Sequence, residues 1–141
     1  MYHKILLVGN LGRDPESKYL ASGTMVCNFS MATSEKWTGQ DGQKQERTIW
    51  WRVAVFGKMG EVCNQYLKKG SKVLVEGRMT ADAKTGNPRV FTRQDGTTGS
   101  SFEVTATTVK FLSSRSEAGG EGGGGAGMME AEPTDESEIP F

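Results

Sequence analysis

The sequence predicts an all-β fold: a five-stranded barrel with one α-helix between its third and fourth strands, followed by a disordered C-terminal tail. Three observations predict it. Five short segments alternate or run apolar and are separated by turn signals. Only one segment carries apolar residues at helical spacing, and it falls between the third and fourth of these. All apolar periodicity stops at Ser113, where a glycine-rich and then acidic stretch begins.

The first strand is expected over residues 4–10 (KILLVGN), ended by the turn residues Gly12, Asp14 and Pro15. The second, over 25–33 (MVCNFSMAT), puts Cys27, Phe29 and Met31 on one face and Asn28, Ser30 and Ala32 on the other. The third, over 48–56 (TIWWRVAVF), sorts Ile49, Trp51, Val53 and Val55 into a core stripe and turns Trp50, Arg52, Ala54 and Phe56 to the opposite face. A helix of about three turns follows in KMGEVCNQYLKKG, with Met59, Val62, Cys63, Tyr66 and Leu67 on one side. Lys68 and Lys69 are expected near its negative dipole end and Gly70 at its C-terminus. Strands over 72–79 and 101–112 complete the set; the apolar phase of the last slips near Thr107-Thr108, as a bulge would cause. Three strands, a helix and two strands is the element order of the OB-fold, whose loops bind oligonucleotides and oligosaccharides.

At 141 residues and 35% hydrophobic content the chain suits one compact domain, expected over 1–112, plus a tail. Seven of the nine residues from Gly119 to Gly127 are glycine, so ordering them would cost backbone entropy with almost nothing to bury. A flexible linker over 113–134 is expected, holding the acidic tip, 135–141, at roughly 25 Å from the body. These glycines lack the preceding strand and the Lys-Ser/Thr pair of a phosphate-binding loop.

Composition narrows the function classes. The longest apolar runs, Ile5 to Val8 and Val53 to Phe56, fall far short of a membrane span, and no signal-peptide pattern opens the chain, so a soluble intracellular protein is expected. Cys27 and Cys63 lack companions for a metal site, His3 being the only histidine, and read as buried reduced thiols. No metal, cofactor or catalytic residue is expected, because an acid-base triad would have to recruit His3 from the N-terminus. The net charge of zero conceals a division. All 17 Lys and Arg lie at or before Arg115 with 10 acids, a balance of +7, and the remaining 7 acids follow with no base. That is the pattern of a polyanion-binding body with an acidic tail.

Interleaved aromatic and basic residues suit single-stranded nucleic acid, since every base has a π-face and Lys and Arg can follow the phosphates. Trp50, Arg52, Phe56 and Lys58 form one such group. A subunit interface is the other reading of that face. Trp37, in the polar stretch SEKWTGQDGQKQER, is expected in a hairpin loop, placed either to wrap a ligand or to pack back on the barrel. Arg89, Phe91 and Arg93 are expected on one side of an extended segment between the last two strands, turning at Asp95-Gly96. An RNA-binding barrel and a protein-interaction barrel remain open alternatives.

The stretches ILLVGNLGRDPE, ATSEKW and WWRVAVFGKMGEVCNQYLKKGSKVLVEGR, with the terminal IPF, together resemble the bacterial single-stranded DNA-binding protein family over nearly the whole chain. The resemblance implies that Trp37, Trp50 and Phe56 stack bases and that Arg52, Lys58, Lys68 and Lys69 hold the phosphates. It also implies a homotetramer, a cytoplasmic, nucleoid-associated location, and a tip that docks onto replication, recombination and repair enzymes. Phe141 and Pro140 would then fill an apolar pocket on a partner, beside Ile139, while Glu136 and Glu138 steer the encounter. Two departures stand out. Lys84 occupies a position where many members carry an aromatic, which Phe91 would replace, and Ser137 interrupts the acidic run.

Overall fold

The computed structural model describes residues 1–113; apart from Ser113, the expected linker and acidic tip lie outside the described residues. Five long strands close into a barrel: β1 (Ile5–Leu11), β3 (Met25–Thr38), β4 (Lys44–Phe56), β5 (Lys72–Thr80) and β8 (Phe102–Phe111). A short strand, β2 (Glu16–Tyr19), lies beside β3, and a separate hairpin of β6 (Val90–Thr92) and β7 (Thr98–Ser100) rises from the β5–β8 connection. Around the ring the order is β1-β5-β8-β4-β3, and β1 returns to β3 through Asn10 opposite Ala32 and Leu11 opposite Met31. Every contact in the ring is antiparallel except β4 with β8. The predicted five-stranded barrel with one helix is the observed fold.

Strand alternation builds the core. Leu7 and Leu11, then Cys27, Phe29 and Met31, then Trp51, Val53 and Val55, then Val73 and Val75, then Val104 and Ala106 all face inward and are buried. The Trp51 indole N–H, which burial would otherwise leave unpaired, donates to Thr33 Oγ1 at 2.9 Å. Both cysteines are free and buried. Burial pushes the Cys27 thiol up to about 11 and Cys63 up to about 12, the latter raised further by its neighbour Cys27, so both remain thiols at neutral pH.

The slip anticipated in the last strand is a β-bulge. The β5–β8 register shifts between Glu76, opposite Thr108, and Gly77, opposite Ala106, leaving Thr107 as the extra residue with its hydroxyl donating to the Glu76 carbonyl.

The helix differs from its expected length. α1 (Lys58–Tyr66) has nine residues, and Leu67 already takes an extended conformation. Lys68, Lys69 and Gly70 are therefore not the end of the helix but a turn, closed by the Ser71 N–H on the Lys68 carbonyl, with Gly70 at φ +89°. Tertiary bonds draw the chain off the helix axis: the Lys69 N–H donates to Asp14 at 2.8 Å and the Asn10 side chain donates to the Gly70 carbonyl at 3.0 Å. Leu67, meanwhile, is buried in the core. The N-terminus is also tied down, with the Met79 N–H donating to His3 Nε2 at 3.1 Å. Among the described residues no helix is long and apolar enough to cross a membrane, and no group of three His, Cys, Asp or Glu could hold a metal.

Candidate nucleic-acid interface

The outer face of β3 and β4 forms an open lane. Pairing places Trp50 beside Ala32, Arg52 beside Ser30 and Ala54 beside Asn28, with Phe56 beside Val26 at the far end. Small and polar neighbours leave Trp50 uncovered, 54% exposed, and Phe56 at the end of the strand is exposed too. Six residues of strand, about 20 Å of backbone, lie between Trp50 and Phe56, a spacing that several nucleotides could follow.

Trp50 is held from below. A Cβ built on Gly12, in the β1–β2 turn, would lie 2.4 Å from Cζ3 of its indole, so the ring rests on bare backbone there. The indole is thus backed by protein at its six-membered ring while about half of the residue stays exposed.

Arg52, exposed on the same lane, approaches Glu103 at 4.0 Å, and Arg89 approaches the other oxygen of that carboxylate at 3.8 Å. Ser101 Oγ donates to Glu103 at 3.1 Å. One acidic side chain on β8 therefore gathers an arginine from β4 and one from the β5–β8 connection.

Trp37 is not in a loop. It lies on β3 opposite Gln45, on a two-stranded arm that projects beyond the barrel with every residue from Ser34 to Thr38 exposed. The Arg47 guanidinium sits 5.4 Å from its ring centroid and also binds Glu35 at 2.8 Å, fixing an exposed aromatic away from the core. Phe91 and Arg93 sit on the β6–β7 hairpin, with the guanidinium 5.6 Å from the ring, while Arg89 precedes it. Gly99, opposite Phe91, leaves the space that both side chains cover.

Residues 2–112 match the single-strand binding protein family. The chain belongs to that family. Among its relatives, the single-stranded DNA-binding protein of Neisseria meningitidis serogroup B is 41% identical over 118 residues, which are 84% of this chain and 64% of the relative. That of Xanthomonas campestris pv. campestris is 44% identical over 115 residues, 82% of this chain and 63% of the relative. The chain thus matches just under two thirds of the length of these relatives. The solved structure of Plasmodium falciparum SSB in complex with ssDNA superposes with a TM-score of 0.66 at 26% identity, over 80% of this chain and 97% of that one. A deletion mutant of the Thermus aquaticus single-stranded DNA binding protein gives 0.62 at 25%, over 79% and 51%.

In this SSB-family barrel, then, Trp50 and Arg52 share one surface with Arg89, and Phe56 continues it toward Lys58 at the start of α1. Lys68 and Lys69 are exposed in the turn after α1, joined to the β1–β2 connection through Asp14. Trp37 stands apart at the tip of the β3–β4 arm. Three residues escaped the sequence reading. Arg13 lines a recess of about 250 Å³ with Asn28, Ser30 and Arg52; its only sequence signal was a place in the first turn, the equivalent of an OB-fold ligand loop. Arg47 is revealed only by the register of the arm. Phe102 read simply as the start of the fifth strand. Glu136 to Phe141 lie outside the described residues.

Proposed function

We propose that this domain binds single-stranded DNA without reading its sequence, stacking bases on Trp50, Phe56, Trp37 and Phe91 while Arg52, Lys58, Lys68, Lys69, Arg89 and Arg93 neutralise phosphates. The observation that carries the reading is the outer lane of β3–β4, where a backed, half-exposed Trp50 stands beside Arg52 among small and polar neighbours. A face built to pack on another barrel would surround the ring with apolar side chains, whereas Ala32, Ser30 and Arg52 stand around it here. The family membership and the ssDNA complex of the Plasmodium relative support the same ligand class. Stacking contributes about 1–3 kcal/mol per base, a range established on single-strand binders that include this family.

Four barrels form the working assembly in this reading, supported by an apolar outer face on β1 where Leu6 and Val8 are exposed. Residues 113–134 tether the acidic tip, 135–141, which recruits replication, recombination and repair enzymes and so couples strand protection to processing in the cytoplasmic nucleoid.

The test is a titration with oligo-dT, following tryptophan fluorescence at low and high salt, on the parent chain and Trp50→Ala. Stacked bases should quench the emission, salt should weaken binding at roughly −0.7 in log K per log[salt] for each phosphate engaged, and the substitution should weaken it roughly five-fold or more. Absence of quenching, or unchanged affinity without Trp50, would assign the lane to protein contacts instead. Oligo-U of equal length separates DNA from RNA preference.

A further inference from the structure

The parallel β4–β8 pairing begins late. β8 meets β4 only from Phe102 opposite Trp51 to Thr105 opposite Ala54, so residues Arg47 to Trp50 have β3 on one side and an open edge on the other. That edge and residues 100–102 enclose a recess of about 440 Å³, within the range of small-molecule pockets. Ile49, Trp50, Phe102, Ser101, Arg47 and Arg52 line it.

Phe102 is the unusual member. It shares its strand face with Val104 and Ala106, both buried, and that phase predicts a core residue. Instead it is 50% exposed. Its ring lies tilted on Trp51, with centroids 5.3 Å apart at 45°, so protein fixes part of the ring and solvent meets the rest. A fixed, half-open aromatic loses little side-chain entropy when a second ring stacks on it. Two arginines in the lining give the recess the charge to hold the phosphate of whatever base enters.

We propose that this recess is a subsite for one nucleobase of a bound single strand, with Phe102 as its stacking face and Arg52, at its rim, as a phosphate ligand. The inference rests on the single-strand-binding reading and adds a base position that the β3–β4 lane does not supply.

The experiment measures binding of a dye-labelled oligo-dT by anisotropy for the parent chain, Trp50→Ala, Phe102→Ala, Phe102→Leu and Phe102→Trp, with melting midpoints for each. Leucine keeps an apolar side chain over Trp51 but offers no π-face, so Phe102→Leu should melt near the parent while binding roughly five-fold or more weakly. Its salt dependence should be unchanged, because stacking releases no counterions. Phe102→Trp should restore affinity. If Phe102→Leu binds like the parent while Trp50→Ala binds weakly, Phe102 is only a lid on Trp51, and the subsite is overturned with the wider function intact. A parent chain that fails to bind oligo-dT would overturn that function itself. Should Phe102→Ala unfold, the leucine variant still decides the question.

Discussion

Gly12 owes its identity to what stands above it. Its backbone is not among the positive-φ glycines, so the requirement is space for the Trp50 indole. Because the obstructing atoms belong to a side chain that can rotate away, Gly12→Ala should tilt Trp50 off its support without unfolding the barrel. The expected result is weaker oligo-dT binding and altered tryptophan emission at an almost unchanged melting midpoint; unaltered binding would show that Trp50 needs no backing. Glu103 poses a question of sign. Its carboxylate gathers Arg52 and Arg89, yet it also competes with phosphates for them. The contacts are long and both arginine side chains are more than 60% exposed, so the pairs contribute at most about 1 kcal/mol. Removing a like charge from a phosphate site gains about that much in water at 4 Å, and more where the surroundings are partly desolvated, as around this 13% exposed side chain. The charge effect wins, and Glu103→Gln should tighten single-strand binding at low salt with a gain that fades as salt rises. Looser binding would mean that holding the arginines matters more.

At this scale the sequence revealed whatever alternation governs. Trp50, Arg52 and Phe56 could be assigned to the outer face because the neighbouring Trp51, Val53 and Val55 had to be inside. Gly12 and Phe102 could not be assigned in that way, since their roles depend on which distant residue arrives beside them. Trp37 was misplaced in a loop because its arm is solvated on both faces, so no alternation marks it as a strand.

Among the elements, the β6–β7 hairpin is the least anchored, a two-stranded sheet joined to the barrel by its connections and the Arg89–Glu103 contact. Such a hairpin is marginal alone. Its turn depends on Asp95, whose carboxylate accepts the Thr97 hydroxyl at 2.6 Å and the Thr97 N–H at 2.9 Å. The hydroxyl bond first, and then the amide bond, holds Asp95 below its ordinary carboxylate range. A depressed folded value means that the stabilisation is present above the ordinary value and is lost as pH falls through the folded one. Acidification should therefore loosen the hairpin before the barrel, whose buried residues include no charged group. Amide resonances of Gly96 and Thr97 should move at low pH while core methyls stay fixed, and Asp95→Asn should abolish the transition. Simultaneous movement of both sets would contradict this. The extended segment through Phe91 and its turn at Asp95-Gly96 were legible, but β2 and the returning strand β7 were not, because β2 is exposed throughout and β7 is three residues long. The end of α1 was misread for a different reason, since Asp14 and Asn10, more than 50 residues away, decide where it stops.

For the whole molecule the governing feature is the charge division between a basic body and an acidic tail. In the proposed function the tail acids compete with phosphates for the same basic groups and the tip recruits partner enzymes, so deleting residues 136–141 should leave oligo-dT affinity intact or raised while ending that recruitment. Pull-downs and binding titrations on the truncated and full chains measure both. Loss of DNA binding with partners retained would refute the assigned division of labour.

The parallel seam between β4 and β8 has a further consequence, for how the chain reaches this shape. β8 is the last barrel strand in sequence, and it fills the gap between β4 and β5, pairing with β4 across about 50 residues. Loop-closure entropy must be met before that seam gives any return. Pairings of this range, in the β4–β8 seam and in β1–β5, place the expected folding rate with the millisecond-to-second β-barrels rather than with the fast helical proteins. Until the seam forms, the Trp51–Ala54 edge of β4 has no partner on that side and is open to mispairing with another chain.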